Sequence, residues 1–154
     1  LETVSFLEAR GFRQYEISNF ARPGRESRHN LKYWTLGEYL GFGPGAHSDF
    51  RGRRFAWARD LEAFLAGTPA RSEDRTLSRR DRQEEYLMLS LRLAGGLRPD
   101  RLEETGLSPF LPFLRRCEAA GYALCREGVW RLTPRGFLVS NQIIGELLER
   151  LPPC

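Results

Sequence analysis

QYEISNFARPGRESRHNLKYWTLGEYLGFGPGAHS, residues 14–48, is the stretch whose reading decides the fold. It holds both histidines, His29 and His47, the single lysine, Lys32, a Pro23-Gly24 turn and the densest run of glycines in the chain. No single helix or strand needs that mixture, so the stretch reads as a site. Just upstream, residues 3–9 space Phe6 and Leu7 as a helix does, with Gly11 placed as its left-handed cap. In residues 13–18, Tyr15 and Ile17 alternate with Gln14, Glu16 and Ser18, the period of two of a strand. A helix feeding a strand belongs to a parallel sheet, which needs neighbours on both sides. The chain is therefore expected to be a segment from inside an α/β domain.

Composition narrows the class. With 154 residues and 41% hydrophobic content the chain can bury a core, and disorder is not expected. There is no apolar run near the ~18 residues of a membrane span, no basic leader and no lipidation signal, so a soluble cytoplasmic protein with at most peripheral membrane contact is expected. Cys117, Cys125 and Cys154 match neither a disulfide framework nor a CxxC clamp, and read as two small buried residues and one at a frayed end. Residues 1–71 carry 11 basic and 8 acidic side chains, and residues 72–154 carry 13 and 12. The small basic excess lies around the site stretch, where it suits a pocket for an acidic small molecule as well as a nucleic-acid surface.

Residues 19–28 read as a loop with a turn at Pro23-Gly24. In His29-Asn30-Leu31-Lys32-Tyr33-Trp34 the imidazole can ligate a transition metal or haem iron, Asn30 can fix a polar group, and Tyr33 and Trp34 offer flat faces to a macrocycle. The bland alternative makes them rim aromatics with a histidine that bonds the loop. Residues 39–42 read as a strand, after which Gly43-Pro44-Gly45-Ala46-His47 lets backbone approach a ligand closely. It is not a P-loop, for no GK[ST] follows. His47 either faces a ligand at the carboxyl end of a strand or is a satisfied strand-end histidine. Residues 51–57 read as a basic hairpin anchored by Phe55 and Trp57. Asp60 caps a short helix with Leu61, Phe64 and Leu65 on one side, ended by Gly67 and Pro69. Residues 1–67 form one module, and the polar stretch 68–80 reads as a linker.

A second module spans 81–151. Ser78-x-x-Asp81 resembles a capping box ahead of a helix over 84–94. A short helix over 99–105 closes at Gly106, and a third over 110–120 turns Phe110, Phe113, Leu114 and Cys117 inward. Residues 122–125 and 129–132 flank Arg126-Glu127-Gly128 as a hairpin. Thr133-Pro134 starts a last helix that runs to Pro152. Three helices, a β-wing and a helix make a winged-helix pattern. The candidate recognition helix, 112–120, sets Arg115 and Arg116 against Glu118, and this half of the chain is nearly neutral, whereas duplex binding draws on many phosphate contacts. Nucleic acid is not the expected partner; a docking or lid role is.

YEISNFARPG (15–24), RHNLKYW (28–34) and YLGFGPGAHS (39–48), with LTPRGFLVSN (132–141), resemble the radical-SAM haem chaperones, the HemW-type branch of the oxygen-independent coproporphyrinogen-III oxidase-like family. The resemblance implies an α+β fold: terminal strands of a partial (βα) radical-SAM barrel, then a winged-helix-like C-terminal domain. His-Asn-x-x-Tyr-Trp, met at His29, Asn30, Tyr33 and Trp34, implies haem binding, with His29 at the iron. Gly43, Gly45, Ala46 and His47 would lie on the side of S-adenosylmethionine. The family's [4Fe-4S] cluster sits on a CxxxCxxC motif that is absent here, so this chain alone is not expected to cleave S-adenosylmethionine. The partners implied are haem or porphyrin and haem-accepting proteins such as respiratory enzymes. Radical decarboxylation of two propionates of coproporphyrinogen III stays open beside haem delivery, and so does pairing of exposed strand edges in a homodimer.

Overall fold

Local capping and turn signals set most element boundaries in the computed structural model, which describes residues 1–102 and 106–152. The chain divides into two units, Leu1–Thr35 with Gln83–Cys154, and Leu36–Arg82. In the first segment, α1 (Glu2–Glu8) leads into β1 (Arg13–Gln14), which pairs antiparallel with β2 (Phe20–Ala21). The strand expected over 13–18 is cut to two residues because the Tyr15 N–H donates to the Asn19 carbonyl at 3.1 Å and folds the chain back. Every ladder among the described residues is antiparallel, so the expected parallel pairing is not among them. Beyond β1 the Ile17 N–H donates to Arg92 O at 2.8 Å and the Ala94 N–H to Tyr15 O at 3.0 Å. These two bonds tie the first segment to residues 92–94. Glu16, between them, is wholly buried. Helix α2 (Arg28–Trp34) ends the segment.

The unit Leu36–Arg82 is built on a three-stranded antiparallel sheet in the order β3 (His47–Phe50), β4 (Arg53–Trp57), β5 (Arg71–Thr76). Arg51 and Gly52, both at positive φ, form the two-residue turn that suits the twist of a hairpin. Residues 39–42 do not form the expected strand; Tyr39 alone bridges Asp49 through bonds of 2.8 and 3.0 Å. Strand β5 replaces the expected linker over 68–80. All six of its side chains are exposed, so it shows no apolar alternation, yet its backbone completes the ladder and Arg53 pairs with Asp74 at 2.7 Å. Helix α3 (Leu61–Leu65) starts where Asp60 accepts the Ala63 N–H at 2.9 Å. Among the described residues nothing covers its apolar side: Leu61 is 60% and Leu65 76% exposed.

Asp49, buried in this sheet, accepts two bonds from Arg82 at 2.7 and 2.8 Å and one from Arg54 at 2.6 Å. Burial alone would raise its carboxyl; the hydrogen bonds and charges of Arg82 and Arg54 outweigh it and hold the group below the usual carboxylate range.

Helix α4 (Arg79–Ser90) opens on the expected reciprocal cap: Ser78 Oγ accepts the Asp81 N–H at 3.1 Å and Asp81 accepts the Ser78 N–H at 2.8 Å. The helix expected over 99–105 is a 3-10 turn at Pro99–Arg101, and its end at Thr105 lies outside the described residues. Then come α5 (Leu111–Ala119), the hairpin β6 (Ala123–Arg126) and β7 (Val129–Leu132), α6 (Pro134–Leu138) and α7 (Ser140–Leu148). The single last helix of the sequence reading is broken at Val139, whose φ of −119° and ψ of 20° leave the helical region. The core runs from Leu87 and Leu91 through Phe110, Leu114 and Trp130 to Ile144 and Leu147. Gly96 lies against β7 at a φ of +75°, and a Cβ there would come 2.3 Å from the Trp130 carbonyl oxygen. Of the two described cysteines, Cys117 is buried and Cys125 half-buried, and both are free; Cys154 lies outside the described residues.

Candidate functional site

Helix α2 exists because its ends are stopped locally. Ser27 Oγ accepts the Asn30 N–H at 3.3 Å, and the Thr35 hydroxyl donates to Leu31 O at 2.7 Å. At about 100° per residue, His29, Asn30, Tyr33 and Trp34 share an arc of about 140° on this helix. His29 and Tyr33, one turn apart, meet edge to face with centroids 5.0 Å apart and planes at 86°. Both are exposed, Tyr33 by 40%, whereas Asn30 and Trp34 on the flank are half-buried. The face thus presents an imidazole braced by a phenol ring, beside an amide and an indole.

No group of three or more His, Cys, Asp or Glu side chains that could hold a metal ion gathers among the described residues. An iron–sulfur cluster does not fit the two free cysteines, one buried in the core and one on the hairpin. Haem fits the α2 face in its donor set: one exposed imidazole for an iron and flat rings for a macrocycle.

Gly43, Gly45, Ala46 and His47 lie together in the other unit. The Gly45 N–H donates to Trp57 O at 3.1 Å, the Ala46 N–H to Gly43 O at 3.1 Å, and Trp57 N–H returns to Ala46 O at 3.0 Å. Two of the amides expected to approach a ligand are thus engaged, Gly45 on β4 and Ala46 within the loop. His47 opens β3, paired with Ala56, and its side chain is exposed.

The sequence reading missed a cavity of about 230 Å³ lined by Trp34, Tyr86, Ser90, Gly96, Arg98 and Arg101. Trp34 belongs both to the α2 face and to this lining. The Tyr86 hydroxyl receives the Arg98 N–H at 2.9 Å and donates to Arg98 O at 3.2 Å, and burial pushes its phenol up. Ser90 Oγ is buried without a hydrogen-bond partner. Nothing in the sequence signals this set, because its residues come from two segments about fifty residues apart, brought together by bonds such as those between residues 15–17 and 92–94.

Residues 77–139 match the family model of the HemN C-terminal domain. Beyond it, 96% of the chain aligns with the haem chaperone HemW of Bacillus subtilis (strain 168), 34% identical over 159 residues and covering 41% of that protein. The chain matches the C-terminal part of a HemW-type protein. The same HemW-type chain is 41% identical over 174 residues to the mitochondrial radical S-adenosyl methionine domain-containing protein 1 of Bos taurus, covering 97% of itself and 38% of that relative. It spans about two fifths of the curated relatives it matches. Among solved structures it resembles the coproporphyrinogen III oxidase HemN of Escherichia coli, described as a radical SAM enzyme, with a TM-score of 0.66 over 94% of this chain and 38% of that one. At 19% identity this likeness bears on the fold of the HemW-type chain alone.

Proposed function

We propose that this chain carries the haem-holding part of a haem chaperone, which passes haem to haem-requiring proteins. The observation that carries the proposal is the α2 face, with an exposed imidazole edge-on to Tyr33 and the half-buried Asn30 and Trp34 beside it. Its support from relatives is that the proteins it aligns with include haem chaperones by name. In this role His29 holds the iron, and Tyr33, one turn on, fixes the imidazole plane. Tyr33 and Trp34 pack on the macrocycle and Asn30 bonds a polar group of the ligand. Bound haem supplies the redox-active iron that an acceptor protein requires. Because His29 and Tyr33 are exposed, an acceptor can reach the ligand without the helix unfolding. In the same proposal, residues 1–67 close a radical-SAM barrel and α4 to α7 with the β6–β7 hairpin form a winged-helix-like domain. The [4Fe-4S] cluster and S-adenosylmethionine belong to the part of such proteins outside this chain, with Gly43, Gly45, Ala46 and His47 turned toward that cofactor.

The test is a haemin titration read by Soret absorbance, run beside His29→Ala and His47→Ala. A saturable, shifted band that is lost with His29→Ala and kept with His47→Ala is expected, with both variants melting like the parent. A band that survives His29→Ala would remove the α2 face from the proposal.

A further inference from the structure

The cavity beside Trp34 holds groups that the haem-holding role does not use. From its lining we infer that it receives a carboxylate arm of the bound macrocycle, a propionate, while the ring lies on the α2 face. The inference rests on the haem proposal above.

Size comes first. At about 230 Å³ the space falls below the roughly 300–1,000 Å³ of pockets that enclose a whole drug-sized ligand, so it takes a side arm and not a macrocycle. Chemistry comes second. Ser90 Oγ is a buried hydroxyl with no partner, an arrangement that is costly unless an acceptor arrives. Arg98 and Arg101 bring two guanidinium groups, whose forked donors match the two oxygens of a carboxylate. Arg98 is held in place through its backbone by the Tyr86 hydroxyl, and Arg101 stands 5.8 Å over the Tyr86 ring. Arg98 also meets Asp100 at 3.3 Å, but that pair is more than 60% exposed on both sides and leaves the other guanidinium nitrogens able to turn inward. Gly96 lines the space with backbone. Location comes third: Trp34 is the one residue shared by the candidate haem face and the cavity, so an arm leaving a ring stacked on that indole enters here.

The experiment compares haemin with haemin dimethyl ester, whose propionates are capped and neutral. Both are titrated into the chain, His29→Ala, the double variant Arg98→Gln/Arg101→Gln, its Lys/Lys counterpart and Ser90→Ala. The unmodified chain is expected to bind haemin about tenfold more tightly than the ester, a comparison that needs no variant to fold. The Gln/Gln change is expected to lose that tenfold for haemin only, with an unmoved Soret maximum, and Lys/Lys to restore part of it. Equal affinity for haemin and ester in the unmodified chain, or equal losses for the two in the Gln/Gln variant, overturns the assignment while a His29-dependent band keeps the haem proposal standing. No Soret band in the unmodified chain overturns both.

Discussion

At the scale of single residues, Asp49 carries the most weight. It lies 33 positions before Arg82 in sequence, so no local pattern announces their bidentate pair, whereas the caps at Asp60 and Thr133 were legible because each acts within three residues. Asp49→Ala leaves two guanidinium groups facing an empty buried site, and the expected loss is about 3 kcal/mol, read as a lower midpoint in urea. The pH dependence has a definite sign. The folded-state carboxyl lies below its ordinary value of 3.8, so its stabilisation is fully present above that pH and disappears as pH falls through the lower folded value. An acid titration of the parent should show that loss, and Asp49→Asn should flatten it. Gly96 is the second such residue. A side chain there meets the Trp130 carbonyl at 2.3 Å while holding a φ of +75°, so Gly96→Ala is expected to cost about 1–3 kcal/mol, seen as a fall in melting temperature.

At the scale of elements, what was legible is what capping and turn chemistry decide. The β6–β7 hairpin around Glu127-Gly128, the Thr133-Pro134 start and the Ser78–Asp81 box all stand where the residues put them. Thr133 does two jobs, accepting the Gly136 N–H at 3.1 Å and donating to Gly121 O at 2.8 Å, which fastens α6 to the turn before the hairpin. Thr133→Ala is expected to cost about 1–2 kcal/mol by thermal melting. Strand β5 escaped notice because a strand exposed on both sides has no reason to alternate apolar and polar residues. Helix α3 shows the reverse: its apolar spacing was clear, yet among the described residues that side meets water. Periodicity tells which side of a helix is apolar but not whether anything covers it. The α2 face was legible as a cluster because its members lie within six residues of sequence, although the helix that carries them was not read; the cavity next to it was not legible, since its lining comes from segments about fifty residues apart.

At the scale of the whole molecule, the core lies entirely between Leu87 and Leu151, within the second segment of its unit. A chain starting at residue 77, where the family match also begins, is therefore expected to melt cooperatively by circular dichroism, with the blue-shifted emission of a buried indole from Trp130, the single tryptophan it keeps. The first segment contributes buried Ala21 and Glu16 and leans on the rest through two backbone bonds, so it should exchange its amide hydrogens well before residues 87–147 do. Those two bonds also carry a consequence for biosynthesis. The long-range bonds of Tyr15 and Ile17 go to Ala94 and Arg92, so at about 5–20 residues per second the early arm waits roughly 4–15 s on the ribosome before it can dock. Throughout that interval the helix bearing His29 is made but unanchored, which sets the order of events: residues 92–94 must be made before the site it displays has a fixed foundation.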